Sequence, residues 1–488
     1  MNIYCINHNY TYETEKLLFL FFPFEKNTVL KEFTGDNGNY LYTEIASTGE
    51  NVSFCVRLCI DGKTEENQGV LPAVEGLDEE YELLSRAYPL LKNICGFAPK
   101  WGMLTGVRPS KLLLNKMESE GEKAAVEYFR HRFFVDDKKI QLAYMVAKIE
   151  QPIINNSPKN SFSLYISIPF CPTRCSYCSF VSHSIGTESA KKLVPEYVEK
   201  LCEEIEFTAK KAKENNLQLT TVYWGGGTPT TLSAEQLDTV MTAIENSFDL
   251  SACREYTVEA GRPDTITKEK LLVLKKHGVN RISINPQTFN DSVLKEIGRC
   301  HTTALTEEMF FLARETGFDF INMDLIAGLP TDTLEGFKGS VNRAIELGAE
   351  NITVHTLALK RSSTLVTENE KDTVTEKNIE AMLDYSFEAL INAGYRPYYM
   401  YRQSKALGNL ENVGWCKNGK ECEYNILMME EYQHILSVGA GAVTKLLSPN
   451  IDKIERIFNY KFPFEYISGF DSLLQKKEGI SSFFAQYN

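Results

Sequence analysis

Three cysteines, Cys171, Cys175 and Cys178, lie close together in the segment IPFCPTRCSYCSF. The spacing C-x3-C-x2-C puts three soft thiolate ligands on one short loop, which can wrap around a single inorganic centre. Structural zinc requires four protein ligands, and a cubane cluster contains four irons, so three thiolates leave one coordination position open. Phe180 stands where a fourth cysteine would be expected. The pattern therefore predicts an iron–sulfur cluster with one iron available to a substrate.

Compartment and cysteine usage favour metal binding over disulfides. The apolar run LLFLFFPF (17–24) is too short to cross a bilayer and lacks the flanks of a signal peptide, and we interpret it as a buried strand. Without a secretion signal we expect a cytoplasmic protein, in which clustered cysteines hold metal. The alternatives are a zinc knuckle completed by His183, or three structural cysteines.

The charge balance bears on the partners of the protein. The chain has 52 Lys and Arg against 65 Asp and Glu, a net charge of -13 at pH 7. An acidic chain is a poor partner for a nucleic-acid polyanion, although a local basic pocket remains possible. We therefore expect no nucleic acid and no membrane span.

The cysteines follow the first of six strand-like segments that alternate with amphipathic helices such as 233–248 and 267–278. Such alternation predicts parallel strands joined by right-handed crossovers, and six units predict a partial TIM-like (β/α)6 barrel of class α/β. Sites in such barrels are built where the strands end. The six segments are 164–170, 220–227, 255–261, 281–287, 320–330 and 351–359.

Composition shifts divide the chain into four regions. Alternating segments at 39–48 and 51–61 predict a small α+β domain, and the polar stretch NNSPKNSFS (155–163) marks a boundary. After about residue 370 the pattern turns to helices and predicts a mostly helical cap. The predicted regions are an N-terminal α+β domain (1–95), a helical connector (96–160), the barrel (161–370) and a C-terminal cap and substrate region (371–488).

Polar and glycine residues cluster at the ends of the predicted strands. A buried polar group without a partner costs about 1 to 3 kcal/mol, so each requires a ligand or an internal partner. For Asp324 an internal hydrogen bond is as plausible as a ligand, and Arg299 fits a solvated helix charge equally well. The residues at these strand ends are Gly225, Gly226, Gly227, Thr228, Glu259, Gln287, Arg299 and Asp324.

A cysteine triplet of this spacing on the first loop of a six-unit barrel resembles the radical S-adenosylmethionine (SAM) superfamily. Within it, five segments in order resemble the oxygen-independent coproporphyrinogen III oxidase (dehydrogenase) family, in its HemZ-type branch. The resemblance runs from about residue 164 to 445. The segments are YISIPFCPTRCSYCSF, YWGGGTPTTL, TVEAGRPDTI, INPQTFNDSVLKEIGRCHT and INMDLIAGLPTDT.

The resemblance implies two cofactors. The three cysteines hold a [4Fe-4S] cluster, and the amino and carboxylate groups of SAM chelate its fourth iron. One electron from a flavodoxin- or ferredoxin-type donor then cleaves SAM to methionine and a 5′-deoxyadenosyl radical. By the same resemblance, Tyr165 is a catalytic residue near the cluster and Phe180 contacts the cofactor.

The family pattern also assigns the strand-end residues to SAM. Gly225, Gly226 and Gly227 with Thr228 correspond to the residues that meet its amino group. The ribose, carboxylate and other polar parts of SAM correspond to Glu259, Gln287, Arg299 and Asp324.

The implied reaction is the oxidative decarboxylation of coproporphyrinogen III. The adenosyl radical removes a hydrogen from a propionate side chain, and loss of CO2 and one electron leaves a vinyl group; two such steps give protoporphyrinogen IX. An anionic tetrapyrrole calls for a basic lining and aromatic walls. The basic candidates are Lys360, Arg361, Arg262 and Arg402, and the aromatic candidates are Tyr398, Tyr399 and Tyr401.

Two departures keep other functions open. Ser167 replaces a histidine common in the oxidase branch, and the C-x-F ending at Phe180 also occurs in haem-chaperone relatives. A haem-binding chaperone is therefore one alternative, with His301, His355 and His434 as available axial ligands. A radical methyltransferase or haem-modifying enzyme of the same family is another. Cys416 and Cys422 are expected to be ordinary buried or free thiols.

Overall fold

The fold was analysed in a computed structural model of the protein, which describes residues 1–23, 25–33, 35, 38–178, 183–186, 188–358, 376–403, 406–448 and 453–487. The chain divides into two compact units. The first comprises residues 1–144 and 402–410, and the second comprises residues 145–401 and 411–488. Over these residues no helix combines the length and the apolar character needed to cross a bilayer.

The first unit is built on one sheet with the order β2-β1-β3-β4-β5, in which β1 runs parallel to both neighbours and the later strands are antiparallel. Its strands are β1 (Asn2–Ile6), β2 (Thr28–Leu30), β3 (Tyr40–Thr48), β4 (Asn51–Ile60) and β5 (Lys63–Pro72). Its helices are α1 (Thr11–Phe19), α2 (Glu79–Cys95), α3 (Pro109–Glu120) and α4 (Glu122–Glu127), and α5 (Asp137–Asn155) begins in this unit and ends in the second.

Alternation along β4 explains the core of this unit. Phe54, Val56 and Leu58 are buried on one face and pack with Leu83 and Leu91 of α2. The helix α2 begins at Asp78, whose carboxylate accepts the Tyr81 N–H at 3.0 Å. An α+β domain was predicted here, and the sheet with its packed helices agrees with that expectation.

The apolar run 17–24 is not a strand, so that interpretation was wrong. Its first residues end helix α1, which buries Thr14, Leu17 and Leu18 against the sheet core. The polar residues of TYETEKLLF lie on the exposed face of the helix. Its buried residues recur with the 3.6-residue period of a helix, which is a stronger signal here than the aromatic residues that suggested a strand.

The second unit contains an eleven-stranded sheet with the order β14-β15-β13-β12-β11-β10-β9-β6-β16-β17-β18 and a separate β7-β8 pair. Its strands are β6 (Ser161–Ile168), β7 (Phe170–Cys171), β8 (His183–Ser184), β9 (Gln218–Gly226), β10 (Glu255–Glu259), β11 (Arg281–Ser283), β12 (Phe320–Ala327), β13 (Asn351–Thr356), β14 (Arg396–Arg402), β15 (Glu411–Cys416), β16 (His434–Val438), β17 (Val443–Leu447) and β18 (Ile454–Phe458). Its helices are α6 (Glu188–Glu214), α7 (Ala234–Ser247), α8 (Lys268–Lys276), α9 (Asp291–Glu296), α10 (Thr303–Glu315), α11 (Leu334–Leu347), α12 (Glu376–Asn392), α13 (Glu423–Glu430), α14 (Pro463–Ser468), α15 (Phe470–Lys477) and α16 (Gly479–Tyr487).

Six strands of this sheet, β6 and β9 to β13, are adjacent and parallel, which confirms the predicted α/β fold. Crossover helices begin at residues whose side chains accept a backbone N–H, as Ser233, Thr267 and Thr333 do for α7, α8 and α11. Because all six strands run in one direction, their carboxyl ends form a single edge.

The C-terminal region extends this sheet as well as supplying helices. Strand β16 pairs parallel with β6, from His434 opposite Phe162 to Val438 opposite Ile166. At the other side, β15 pairs antiparallel with β13. The expected helical cap therefore also contributes five strands, β14 to β18, to the barrel sheet.

Candidate functional site

The cysteine loop, residues 171–178, leaves the carboxyl end of β6 through the short strand β7. Backbone hydrogen bonds fix it at three points: Ile185 N–H donates to Cys171 O (3.0 Å), Cys178 N–H to Cys175 O (3.1 Å) and Ser176 N–H to Ile297 O (3.1 Å). The Cys175 side chain is buried. None of the twelve cysteines, all of which the structure describes, forms a disulfide. Backbone hydrogen bonds therefore fix the position of the loop that carries the three thiols.

His183, the fourth ligand of the zinc alternative, has aromatic neighbours in this structure. In the described ranges no three His, Cys, Asp or Glu side chains converge so as to hold one metal ion. The His183 ring instead packs edge-on against Phe462 (5.9 Å between centroids) and Phe464 (6.4 Å). Cubane thiolates each bind a different iron, so they need not converge on one point.

A strip of glycines after β9 lies against the cysteine loop. Gly227 N–H donates to Ile168 O (2.8 Å), and Thr228 N–H donates to Phe170 O (2.7 Å). A Cβ atom at Gly227 would lie 2.6 Å from Phe170 O and 3.0 Å from Cys171 Sγ, so no side chain fits. The Thr228 hydroxyl lies 3.4 Å from the same sulfur. The lack of a side chain therefore lets the backbone of the strip pack directly against the cysteine loop.

Tyr165, Gly225 and Glu259 meet on three adjacent strands. A Cβ atom at Gly225 would lie 3.1 Å from Tyr165 Oη and 3.2 Å from Glu259 Oε2. The Tyr223 hydroxyl donates to Glu259 Oε1 at 2.6 Å. Tyr223 also stacks on Tyr424 of α13, with ring centroids 4.3 Å apart, and the Tyr165 ring lies nearly parallel to both. A carboxylate is thus held beside a wall of three stacked rings.

The environment of Glu259 changes its acidity. Burial raises its pKa to about 7, and the nearby charge of Asp324 acts in the same direction. The hydrogen bond from Tyr223 and the charge of His355 oppose the rise without cancelling it. Glu259 therefore titrates near neutrality, which is common among residues that bind or transfer protons at functional sites.

Asp324 has internal hydrogen-bond partners. The sequence left such partners and a ligand equally plausible for this residue. Its Oδ2 accepts from Asn285 Nδ2 at 2.7 Å and its Oδ1 from Asn322 Nδ2 at 2.8 Å, while His355 Nε2 lies 3.7 Å from Oδ2. Burial acts to raise the pKa of Asp324, but the hydrogen bonds and the charge of His355 lower it overall. Asp324 is therefore a fixed carboxylate at this edge of the sheet.

Gln287 adopts a left-handed backbone conformation with φ of 67°. Its N–H donates to Asp324 O at 2.9 Å, and its carbonyl accepts from Ile326 N–H at 3.0 Å. A non-glycine residue at positive φ is strained, and such residues persist where the surroundings fix them, often at binding sites. The strain therefore marks Gln287 as a residue held in place at the strand ends.

Arg299 is not the solvated charge that the sequence left open. It is 9% exposed, and its guanidinium donates to Asn285 O (2.8 Å), Gly261 O (3.3 Å) and the Tyr177 hydroxyl (3.1 Å). Burial acts to lower its pKa, but Tyr177 and Cys175 raise it overall. Its Nε has no hydrogen-bond partner among the described protein atoms. Arg299 thus carries a permanent buried charge beside the cysteine loop.

Other predicted residues fall into two groups. Arg262 and Arg402 are both 3% exposed, and their guanidinium groups are engaged by neighbouring protein atoms, as in the hydrogen bond from Arg402 Nη1 to Leu104 O at 2.6 Å. Both were candidates for the basic lining of a site for an anionic substrate, and in this structure their guanidinium groups instead bind protein atoms. Phe180, Lys360 and Arg361 lie outside the described residues.

The remaining aromatic and thiol candidates are mostly buried. Tyr398 and Tyr399 are core residues, whereas Tyr401 is half-buried with its hydroxyl 3.5 Å from His355 Nδ1. Cys416 and Cys422 are buried thiols as expected, and burial raises the pKa of both.

Sequence reasoning did not single out four residues at this edge: Tyr177, Tyr223, Asn285 and Tyr424. Three of them adjoin recognised motifs, since Tyr177 lies between the last two cysteines and Tyr223 immediately precedes the WGGG segment. Asn285 lies two residues before Gln287. Tyr424 comes from a helix far along the chain, and no local signal connects it with the barrel.

Comparisons with known proteins identify the family to which this chain is similar. The profile of the radical SAM superfamily matches residues 165–344. The oxygen-independent coproporphyrinogen-III oxidase-like protein HemZ of Bacillus subtilis is 40% identical over 80% of this chain and 78% of its own. The haem chaperone HemW of Lactococcus lactis is 33% identical over 57% of this chain and 68% of its own.

A solved structure shares the fold. The coproporphyrinogen III oxidase HemN of Escherichia coli, a radical SAM enzyme, superposes with a TM-score of 0.52 at 23% identity, covering 67% of this chain and 72% of that one. The superfamily uses a [4Fe-4S] cluster and SAM, and a held loop of three thiols beside a side-chain-free strip fits that pair. The chain therefore belongs to the radical SAM superfamily and, within it, to the HemZ-type group of coproporphyrinogen III oxidase-like proteins.

Proposed function

We propose that the protein oxidatively decarboxylates two propionates of coproporphyrinogen III to vinyl groups, giving protoporphyrinogen IX. The observation that carries the proposal is the juxtaposition of the cysteine loop with the glycine strip and Glu259 at one barrel edge. The substrate class is inferred from the names of the relatives HemZ and HemN. With twelve cysteines outside disulfides, a reducing cytoplasm is the compartment that we propose.

In this proposal Cys171, Cys175 and Cys178 bind three irons of the cluster. When bound, the cluster and SAM together supply a 5′-deoxyadenosyl radical. The backbone of Gly225 to Gly227 would meet the amino group of SAM. A Cβ atom would lie 2.9 Å from Ser167 Oγ at Gly226 and 2.6 Å from Phe170 O at Gly227, so this strip packs beside the cysteine loop only without side chains. Glu259 accepts hydrogen bonds from hydroxyl groups of SAM, and Arg299 holds its carboxylate through the buried guanidinium. Gln287 and Asp324 contact its remaining polar groups.

The protein's own task is positioning and shielding, since the cofactors carry the difficult chemistry. The stacked rings of Tyr165, Tyr223 and Tyr424 form a rigid wall on one side of Glu259. Such a wall excludes water from a reactive radical and keeps the propionate carbon near it. Tyr165 is the ring of this wall that lies beside Gly225.

The proposed reaction is tested directly by anaerobic turnover. The reconstituted protein is incubated with SAM, a one-electron reductant and coproporphyrinogen III. We expect 5′-deoxyadenosine and a porphyrinogen that has lost two carboxyl groups, at two molecules of 5′-deoxyadenosine for each product, measured by mass spectrometry. SAM cleavage without any vinyl product would contradict the proposed reaction.

A haem chaperone is the second candidate function, because relatives named as haem chaperones match the barrel. His301 and His434 are buried, whereas His355 is half-buried at the carboxyl end of β13. His355 is therefore the histidine among these three that a haem iron could reach. Stoichiometric haem binding that is lost in His355→Ala, without decarboxylation, would favour this function.

The raised pKa of Glu259 predicts pH-dependent SAM binding. With a pKa of about 7 the carboxylate is about one-tenth ionised at pH 6 and about nine-tenths ionised at pH 8. Because the ionised form is the better acceptor, we expect SAM affinity to rise about tenfold between these pH values. The measurement is the SAM dissociation constant of the cluster-containing protein across this range.

The control for this prediction is Glu259→Gln, which keeps the shape and removes the titration. The amino group of SAM titrates near pH 8 in both proteins, so only the difference between the two profiles reports on Glu259. Identical profiles, or tighter binding at pH 6 in the wild type, would show that the carboxylate is not the acceptor.

A further inference from the structure

Arg262, which is buried, and Asp264, which is exposed, form an ion pair beside the cysteine loop. Arg262 follows β10, and its side chain is 4% exposed. Its Nε donates to Asp264 Oδ1 at 3.0 Å and its Nη2 to Asp264 Oδ2 at 2.9 Å, so the pair is bidentate. Two parallel hydrogen bonds of this kind fix the plane and direction of the guanidinium.

The fixed guanidinium is directed at the cysteine loop. Its Nη1 donates to Cys175 Sγ at 3.7 Å, within the range of hydrogen bonds to sulfur. Nη1 and Nη2 both lie 3.2 Å from Thr173 Oγ1. The guanidinium of Arg262 thus contacts Cys175, one of the three cysteines predicted to bind the cluster.

The burial of the Arg262 guanidinium needs a reason, because removing a charge from water costs several kcal/mol. Holding a loop in place is achieved elsewhere by neutral groups, as in the backbone hydrogen bond from Ser176 to Ile297. A charge placed against a ligand sulfur has a second effect, since hydrogen bonds to the sulfurs and nearby charge set the potential of an iron–sulfur cluster.

We propose that Arg262 and Asp264 are positioning residues that set the reduction potential of the cluster through Cys175, with opposite signs. Reduction adds one electron to the cluster, which increases its negative charge. The guanidinium and its hydrogen bond to sulfur stabilise the reduced form and raise the potential. The carboxylate of Asp264 destabilises the reduced form and lowers the potential. The two residues therefore shift the reduction potential of the cluster in opposite directions.

The test is an EPR-monitored redox titration of the full-length, anaerobically reconstituted protein, without tetrapyrrole. We expect Arg262→Gln to lower the midpoint by at least a tenfold change in the reduction equilibrium, about 59 mV for a one-electron couple. Asp264→Asn should shift the midpoint upward. The double variant should lie between the two single variants.

A surface arginine supplies the matched control. Arg254 pairs with Glu423 at 2.7 Å and its side chain is 44% exposed, so Arg254→Gln makes the same charge change away from the loop. Its midpoint should equal that of the wild type. If Arg262→Gln fails to retain the cluster, Arg262→Lys keeps the charge and should have a midpoint equal to or slightly below that of wild type, and a midpoint above wild type would contradict the proposal.

Two results would overturn the proposal. Midpoints that move in the same direction in Arg262→Gln and Asp264→Asn would indicate a loosened loop. Unchanged midpoints in both variants, with four irons per chain, would show that the pair has no influence on the cluster. Neither result depends on tetrapyrrole turnover, so failure here is distinguishable from failure of the proposed reaction.

Discussion

Replacing Cys175 with alanine is expected to abolish the cluster absorbance and reductive SAM cleavage together. Cys175 is buried in the cysteine loop and accepts a hydrogen bond from Arg262. Loss of its sulfur leaves two thiolates for four irons, so two irons lack a protein ligand, which is too few ligands to retain a cubane. The measurements are iron content per chain, the visible absorbance of the brown cluster and 5′-deoxyadenosine production.

Cys202 provides the control for this substitution. It lies half-buried on α6, outside the loop, and burial raises the pKa of its thiol to about 11. Cys202→Ala should keep wild-type iron content and SAM cleavage. Retention of colour and full cleavage in Cys175→Ala would refute the assignment of the loop as the cluster site.

The second large effect is expected at a buried ion pair between the C-terminal helix α15 and helix α6. Lys477 Nζ lies 2.6 Å from Glu204 Oε1, and both side chains are fully buried. Glu204 also accepts from the Tyr466 hydroxyl (2.6 Å) and from Gly439 N–H (2.7 Å). Lys477→Met removes one charge and leaves the other unpaired, which costs about 3 to 5 kcal/mol. We expect the thermal unfolding midpoint of the second unit to fall by several degrees.

Two further variants make this prediction specific. The neighbouring Lys476 is exposed, with its ammonium 4.2 Å from the Tyr460 ring centroid, so Lys476→Met should cost less than about 1 kcal/mol. The double variant Lys477→Met, Glu204→Gln removes both charges and should recover part of the lost stability. Equal midpoints in Lys476→Met and Lys477→Met would contradict a stabilising role for the pair.

The barrel was predictable because its signals are local. Each of the six parallel strands is a short apolar run followed by glycine or polar residues, and each crossover helix repeats its apolar residues at helical spacing. The cysteine spacing and the glycine strip are also local, so both can be recognised in the sequence at the ends of the first two parallel strands. The misassigned segment 17–24 failed because aromatic residues suit a strand and a buried helix end equally well.

Residues whose partners are distant in sequence were not predictable. Arg262 was expected to face an anionic substrate, but Asp264 and the cysteine loop enclose it. Arg299 has its neighbours on three different strand ends and loops. Tyr424 reaches the stack from a helix that follows the barrel. The sequence around a charged or aromatic residue does not show whether its side chain is buried or exposed, because the tertiary fold determines which residues surround it.

Strand β16 has a consequence for biosynthesis. It covers the free side of β6, and the Ser167 hydroxyl donates to Ala440 O at 2.7 Å across 273 residues of chain. During translation β6 leaves the ribosome long before this neighbour exists, so its backbone edge stays open to other strands. The cysteine loop that follows β6 would therefore lack its final support until residues 434–440 have been synthesised.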